Sequence, residues 1–100
     1  MAIKKEEIPP FLERAIKSLE HRVDSEIRLK YKCNGEPLHV QLDRYLLEIP
    51  GCVDDMSTLT AFGRTVLDSV YGLNREAGWE VSLYTSTFLF EVIGNRFVFE

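Results

Sequence analysis

Apolar residues near the start of the chain recur every three or four positions: Ile8, Phe11, Leu12, Ala15, Ile16 and Leu19. That spacing predicts an amphipathic helix from Pro10 to His21. Pro9 and Pro10 suit its start, where a missing N–H costs nothing. Glu13, Arg14, Lys17, Ser18 and Glu20 fill the opposite, solvent face.

The period then shortens. Ile27, Leu29, Tyr31 and Cys33 alternate with Arg28, Lys30 and Lys32, the pattern of a half-buried strand. Asn34-Gly35 follows, a strong two-residue hairpin signal. In the return strand, Leu38, Val40 and Leu42 alternate with His39, Gln41 and Asp43. A two-residue loop would pair Ile27 with Leu42, Leu29 with Val40 and Tyr31 with Leu38, so apolar meets apolar on one face. Residues 44–49 read either as a helix or as more strand.

Pro50-Gly51 occupies the central positions of a type II turn. Leu59, Phe62, Val66, Leu67, Val70 and Leu73 form the stripe of a second helix, starting at Asp55 or Ser57. Gly63 within it suggests a close approach to the sheet, and Gly72 or Gly78 its end. Trp79, Val81 and Leu83 alternate with Glu80, Ser82 and Tyr84 as a further strand. A second hairpin turns at Gly94-Asn95, pairing Ile93 with Arg96, Val92 with Phe97, Glu91 with Val98 and Phe90 with Phe99. Phe88, Phe90, Val92, Phe97 and Phe99 then face the core. Leu89, Glu91, Ile93, Arg96 and Val98 face away.

The resulting class is α+β, a two-layer sandwich in the order α-β-β-α-β-β-β. Two helices cover one face of a mostly antiparallel sheet, and no helix remains for the other. One hundred residues with 45% hydrophobic content fit a single globular domain over residues 1–100.

Charge narrows the partners. The net charge is −4: residues 1–32 carry eight Lys/Arg against six Asp/Glu, and residues 33–100 four against ten. An acidic bulk disfavours nucleic acid and anionic membrane. "MAIKKEEIPP" lacks the apolar core of a secretory signal, and no stretch has the length of a membrane span. Two cysteines, Cys33 and Cys52, fit a reduced cytoplasmic setting.

The chemically loaded stretch is "EIPGCVDDMSTLTAFG", residues 48–63. Cys52 could serve as a nucleophile only with a lowered pKa and a histidine base. Asp54 and Asp55 oppose the first, and His21 and His39 are not placed to supply the second. Asp54, Asp55 and Ser57 read as caps of the following helix rather than as metal ligands, since adjacent carboxylates rarely converge on one ion. The basic row Arg28, Lys30 and Lys32 lacks the exposed aromatics of a nucleic-acid reader; Tyr84 alone points outward.

The expectation that follows is a small non-enzymatic module that binds a protein or a second copy of itself, with no cofactor and no metal. Its contact surface is the uncovered sheet face or a sheet edge, with apolar area from Tyr84, Leu89, Ile93 and Val98 and a polar border of Arg28, Lys30, Gln41, Glu91 and Arg96. The alternatives are a chaperone or adaptor holding a peptide, and a small enzyme using Cys52 or carboxylates such as Asp43 and Asp55.

Overall fold

The computed structural model describes residues 8–31, 36–86 and 95–100. It is an α+β fold in which helices pack on one face of a three-stranded antiparallel sheet. The elements are α1 (Ile8–Lys30), β1 (Leu38–Gln41), α2 (Asp43–Glu48), α3 (Ala61–Glu76), β2 (Val81–Tyr84) and β3 (Arg96–Phe99). No helix among the described residues is long and apolar enough to cross a membrane.

The first correction is at α1, which runs through the segment expected to be a strand. Leu19 and Val23 are fully buried, and Ile27 packs against the same core. These residues stand four apart, one helical turn, and the stripe leads on to Tyr31. Its ring meets Trp79 edge-on at 5.0 Å, and Trp79 meets Phe99 at 5.7 Å. The alternation of residues 27–31 was therefore a coincidence of a longer helical stripe. Leu29, which a strand would have buried, is 83% exposed. The pairs 27/42, 29/40 and 31/38 do not form. Cys33 and the Asn34-Gly35 turn lie outside the described residues.

The ambiguous segment 44–49 is mostly helix, α2, with Leu42 and Leu46 fully buried. It is pinned to α1 by Tyr45 Oη, which donates to Glu26 Oε1 at 2.6 Å, and by an Arg22–Glu48 ion pair at 2.9 Å. Gly51 takes φ +86°, as a type II turn requires at that position.

The second correction concerns the start of α3. It begins at Ala61, and Thr60 is its cap: Thr60 Oγ1 accepts from Gly63 N–H at 3.0 Å and donates to Gly51 O at 2.6 Å. Asp54 instead closes the loop before it, its Oδ1 accepting from the N–H groups of Met56 and Thr58 at 2.9 and 3.0 Å. Gly63 does permit a close approach, but to the 50s turn rather than to the sheet. A Cβ there would lie 2.4 Å from Cys52 O. The helix ends before Gly78, at φ +99°.

The strand order is β1-β3-β2, so β3 is central. Phe97 lies between Val40 and Leu83, and Phe99 between Leu38 and Val81. This is the third correction. Both edges of β3 are filled by β1 and β2, so Arg96–Phe99 do not pair in a hairpin with residues 90–93. Those partners, with Phe88, Leu89 and the turn residue Gly94, lie outside the described residues. The predicted inward positions of the described strands hold, and His39, Gln41, Ser82 and Tyr84 are exposed as expected, but Val98, expected to be exposed, is buried at 6%. Val40, Phe97 and Phe99 are fully buried in the core with Leu19, Val23, Leu46, Val66, Leu67 and Val70.

Candidate functional site

Strand alternation places His39, Gln41, Ser82, Tyr84, Arg96 and Val98 on the face opposite the core. Three rows cross it. His39, Val98 and Ser82 form one, and Gln41, Arg96 and Tyr84 the next. The helices contact each other and the core side, and no helix among the described residues covers these rows.

Arg96 dominates this face. Its guanidinium carbon lies 4.9 Å from the ring centroid of Tyr84, the residue directly across the ladder. A cation on an aromatic face gains from the ring quadrupole. Arg96 forms no ion pair among the described residues, and its Nε is buried with no hydrogen-bond partner among them. Tyr84 is 45% exposed. Val98 shares the face but is only 6% exposed, so it offers little of the apolar area expected of it.

The row containing Arg96 is anchored from beneath by a residue that the sequence reading treated as a turn. Asn95 is fully buried. Its backbone N–H and its side-chain amide both donate to Asp43 Oδ1, each at 3.0 Å. Asn95 O accepts from Leu42 N–H at 2.8 Å, and Asn95 Oδ1 from Ser86 N–H at 3.0 Å. Through its backbone and side chain together, this one residue ties the end of β1, the start of α2, the segment after β2 and the start of β3. Asp43, weighed above as a candidate carboxylate for chemistry, is spent on this framework.

A cleft of about 370 Å³ adjoins the face at β1. Glu26 and Lys30 of α1, His39 and Gln41 of β1, and Asp43, Arg44 and Tyr45 of α2 line it. Lys30 therefore shares a surface with His39 and Gln41 as expected, although it comes from a helix end and not from a neighbouring strand. Its ammonium holds Glu26 at 2.8 Å. That hydrogen bond, with the one from Tyr45, holds the Glu26 carboxyl below the usual range, and the same Glu26 contact pushes the Tyr45 hydroxyl up. Arg28 is exposed in the last turn of α1, where a cation suits the helix dipole, and does not line the cleft. Leu89, Glu91 and Ile93 lie outside the described residues.

Cys52 is fully buried, and burial pushes its thiol up to about 11. A thiol so held is protonated at neutral pH, the opposite of an activated nucleophile.

No protein-family model matches the chain, and neither a curated protein nor a solved structure matches it significantly.

Proposed function

We propose that this chain is a non-enzymatic protein-binding module whose docking surface is the helix-free sheet face, centred on Arg96 and Tyr84. The observation that carries the reading is the Arg96 guanidinium stacked at 4.9 Å on an exposed tyrosine, with no carboxylate to neutralise it among the described residues. Arginine and tyrosine are the residue types that concentrate binding energy at protein interfaces. Stacking and the shielded Nε also restrict the side chain before a partner arrives, which lowers the entropy lost on docking. The partner group that this site suits is a carboxylate, held by charge-assisted hydrogen bonds. His39, Gln41 and Ser82 supply the polar surround, and Lys30 and Arg44 lie across the adjoining cleft.

The test is a photo-crosslinking amino acid placed at position 84 and expressed in the source cells. The expected result is a covalent adduct of discrete mass that disappears when Arg96→Glu is added. The same crosslinker at Leu73, exposed on α3, should not give that adduct. No adduct from position 84, or the same adduct from both positions, would reject the reading.

A further inference from the structure

Both hydrogen-bonding edges of β3 are filled, so the free edges of the sheet belong to β1 and β2. Ladder alternation fixes which groups of β1 stay open. One rung beyond Gln41 and Arg96, Leu42 N–H donates to Asn95 O at 2.8 Å. On the other edge of β3, Glu100 N–H donates to Glu80 O at 2.9 Å. Successive residues of an antiparallel strand turn their backbone groups to its two edges in turn. Asn95, Phe97 and Phe99 therefore face β1, and Leu42, Val40 and Leu38 answer them. The N–H and C=O groups of His39 and Gln41 point the other way, out of the sheet. None of these groups has a hydrogen-bond partner among the described residues.

That edge opens into the cleft of about 370 Å³. His39 and Gln41 project from the outer face of the sheet, whereas Glu26 and Lys30 of α1 and Tyr45 of α2 belong to the helical layer. A cleft bounded by both layers must pass round the rim of β1, where the open backbone groups lie. We infer that this cleft takes an extended peptide segment of another protein, which adds to β1 as a further strand. His39 and Gln41 offer N–H and C=O groups at the two-residue spacing by which one strand bonds to another. The helical walls beside the rim leave room for a bare extended chain, and not for a second copy that brings its own α1 and α2 to the same edge. Side chains of the bound segment alternate between His39 and Gln41 on one side and the helical wall on the other. Charge selects among them. Glu26 is already held by Lys30 and Tyr45, and Asp43 accepts from Asn95. Arg44 is exposed and forms no ion pair among the described residues. It is the lining charge left over, so the segment carries an aspartate or glutamate toward it. The site lies beside the Arg96–Tyr84 surface and does not rest on that reading.

A phage-displayed library of random short peptides, panned against the full chain, supplies the probe. The most enriched peptide is then synthesised and titrated by fluorescence anisotropy. Enriched sequences should share an Asp or Glu. Methylating the peptide's amide nitrogens one at a time should weaken binding by about tenfold at alternate positions only, because only every second amide faces β1. Gln41→Pro deletes an outward N–H that β3 does not use, and proline is tolerated on an edge strand. It too should weaken binding by about tenfold, and Arg44→Glu by at least about tenfold. If circular dichroism shows Gln41→Pro unfolded, the methylation scan decides in its place. No enriched peptide, unchanged affinity in folded Gln41→Pro, or a methylation scan without alternation would overturn the proposal. Affinity indifferent to Arg44→Glu would reject the carboxylate. Binding lost in Arg96→Glu but kept in Gln41→Pro would move the peptide to the sheet face and reject the edge. A dimer in sedimentation velocity that Gln41→Pro dissolves would give the edge to a second copy instead.

Discussion

Asn95 gives two hydrogen bonds to a single oxygen of Asp43, one from its backbone and one from its side chain, each 3.0 Å long. Fifty-two positions separate the two residues, and the contact fastens the start of the central strand to the start of α2. Removing the carboxylate leaves buried donors of a fully buried residue unpaired. Asp43→Ala should therefore lower stability by about 2–3 kcal/mol in urea unfolding. Asp43→Asn, which keeps one acceptor oxygen, should cost less. Equal stability of Asp43→Ala and wild type would show that the network is incidental.

The α3 entrance offers a steric test. Gly63→Ala drives a Cβ to 2.4 Å from Cys52 O and 2.7 Å from Leu59 Cδ1. A loss of about 3 kcal/mol is expected, at the upper end of overpacking costs. Gly72→Ala, which meets nothing within 4 Å, should instead stabilise by up to about 1 kcal/mol. Thermal melts of the two variants should move in opposite directions. Thr60→Ala should cost about 1 kcal/mol as a lost cap, and Asp55→Ala should cost less.

Cys52 should resist chemistry in the folded state. In a Cys33→Ser background, a thiol reagent at pH 8 should label the native chain only as fast as it opens, and label it rapidly in denaturant. Rapid native labelling would contradict a buried thiol with a pKa of about 11.

The Glu26–Tyr45 hydrogen bond predicts a pH dependence with two limits. Glu26 is held below its ordinary value, chiefly by its hydrogen bond with Lys30 and then by that with Tyr45. Its contribution is present above about pH 4.3, the unperturbed value, and is lost as pH falls through the lower folded value. Tyr45 is raised by its bond to Glu26, so its contribution is present below about pH 10 and is lost as pH rises through the higher folded value. Tyr45→Phe should reduce both slopes in stability measured against pH, and Glu26→Gln should remove the acid slope. An acid limb unchanged in Glu26→Gln would assign it to other carboxylates.

Local patterning was legible in several places. The stripe from Phe62 to Leu73 is α3, Pro50-Gly51 is a turn, and the inward positions Val40, Val81, Phe97 and Phe99 are core. Each rests on a period or a backbone preference carried by neighbouring residues. The candidate site was legible only in part. Tyr84 and Arg96 could be assigned outward by alternation, but not to each other, because Arg96 was expected opposite Ile93.

What the sequence by itself determined is which side chains seek the core within each short segment, since burial periodicity is a local property. The tertiary structure decided three further matters. Residues 27–31 satisfied both periods, and packing of α1 against α3 and β1, with Tyr31 on Trp79, chose the helix, at the cost of exposing Leu29. The central place of β3 is a choice among long-range pairings, because every strand offers backbone groups on both edges and local pattern does not name their partners. That choice set Arg96 across from Tyr84, extended the ladder to Glu80 and Glu100, and brought Asn95 beside Asp43. The charge pattern of the helix-free face is therefore a product of strand order, which sums contacts over the whole chain.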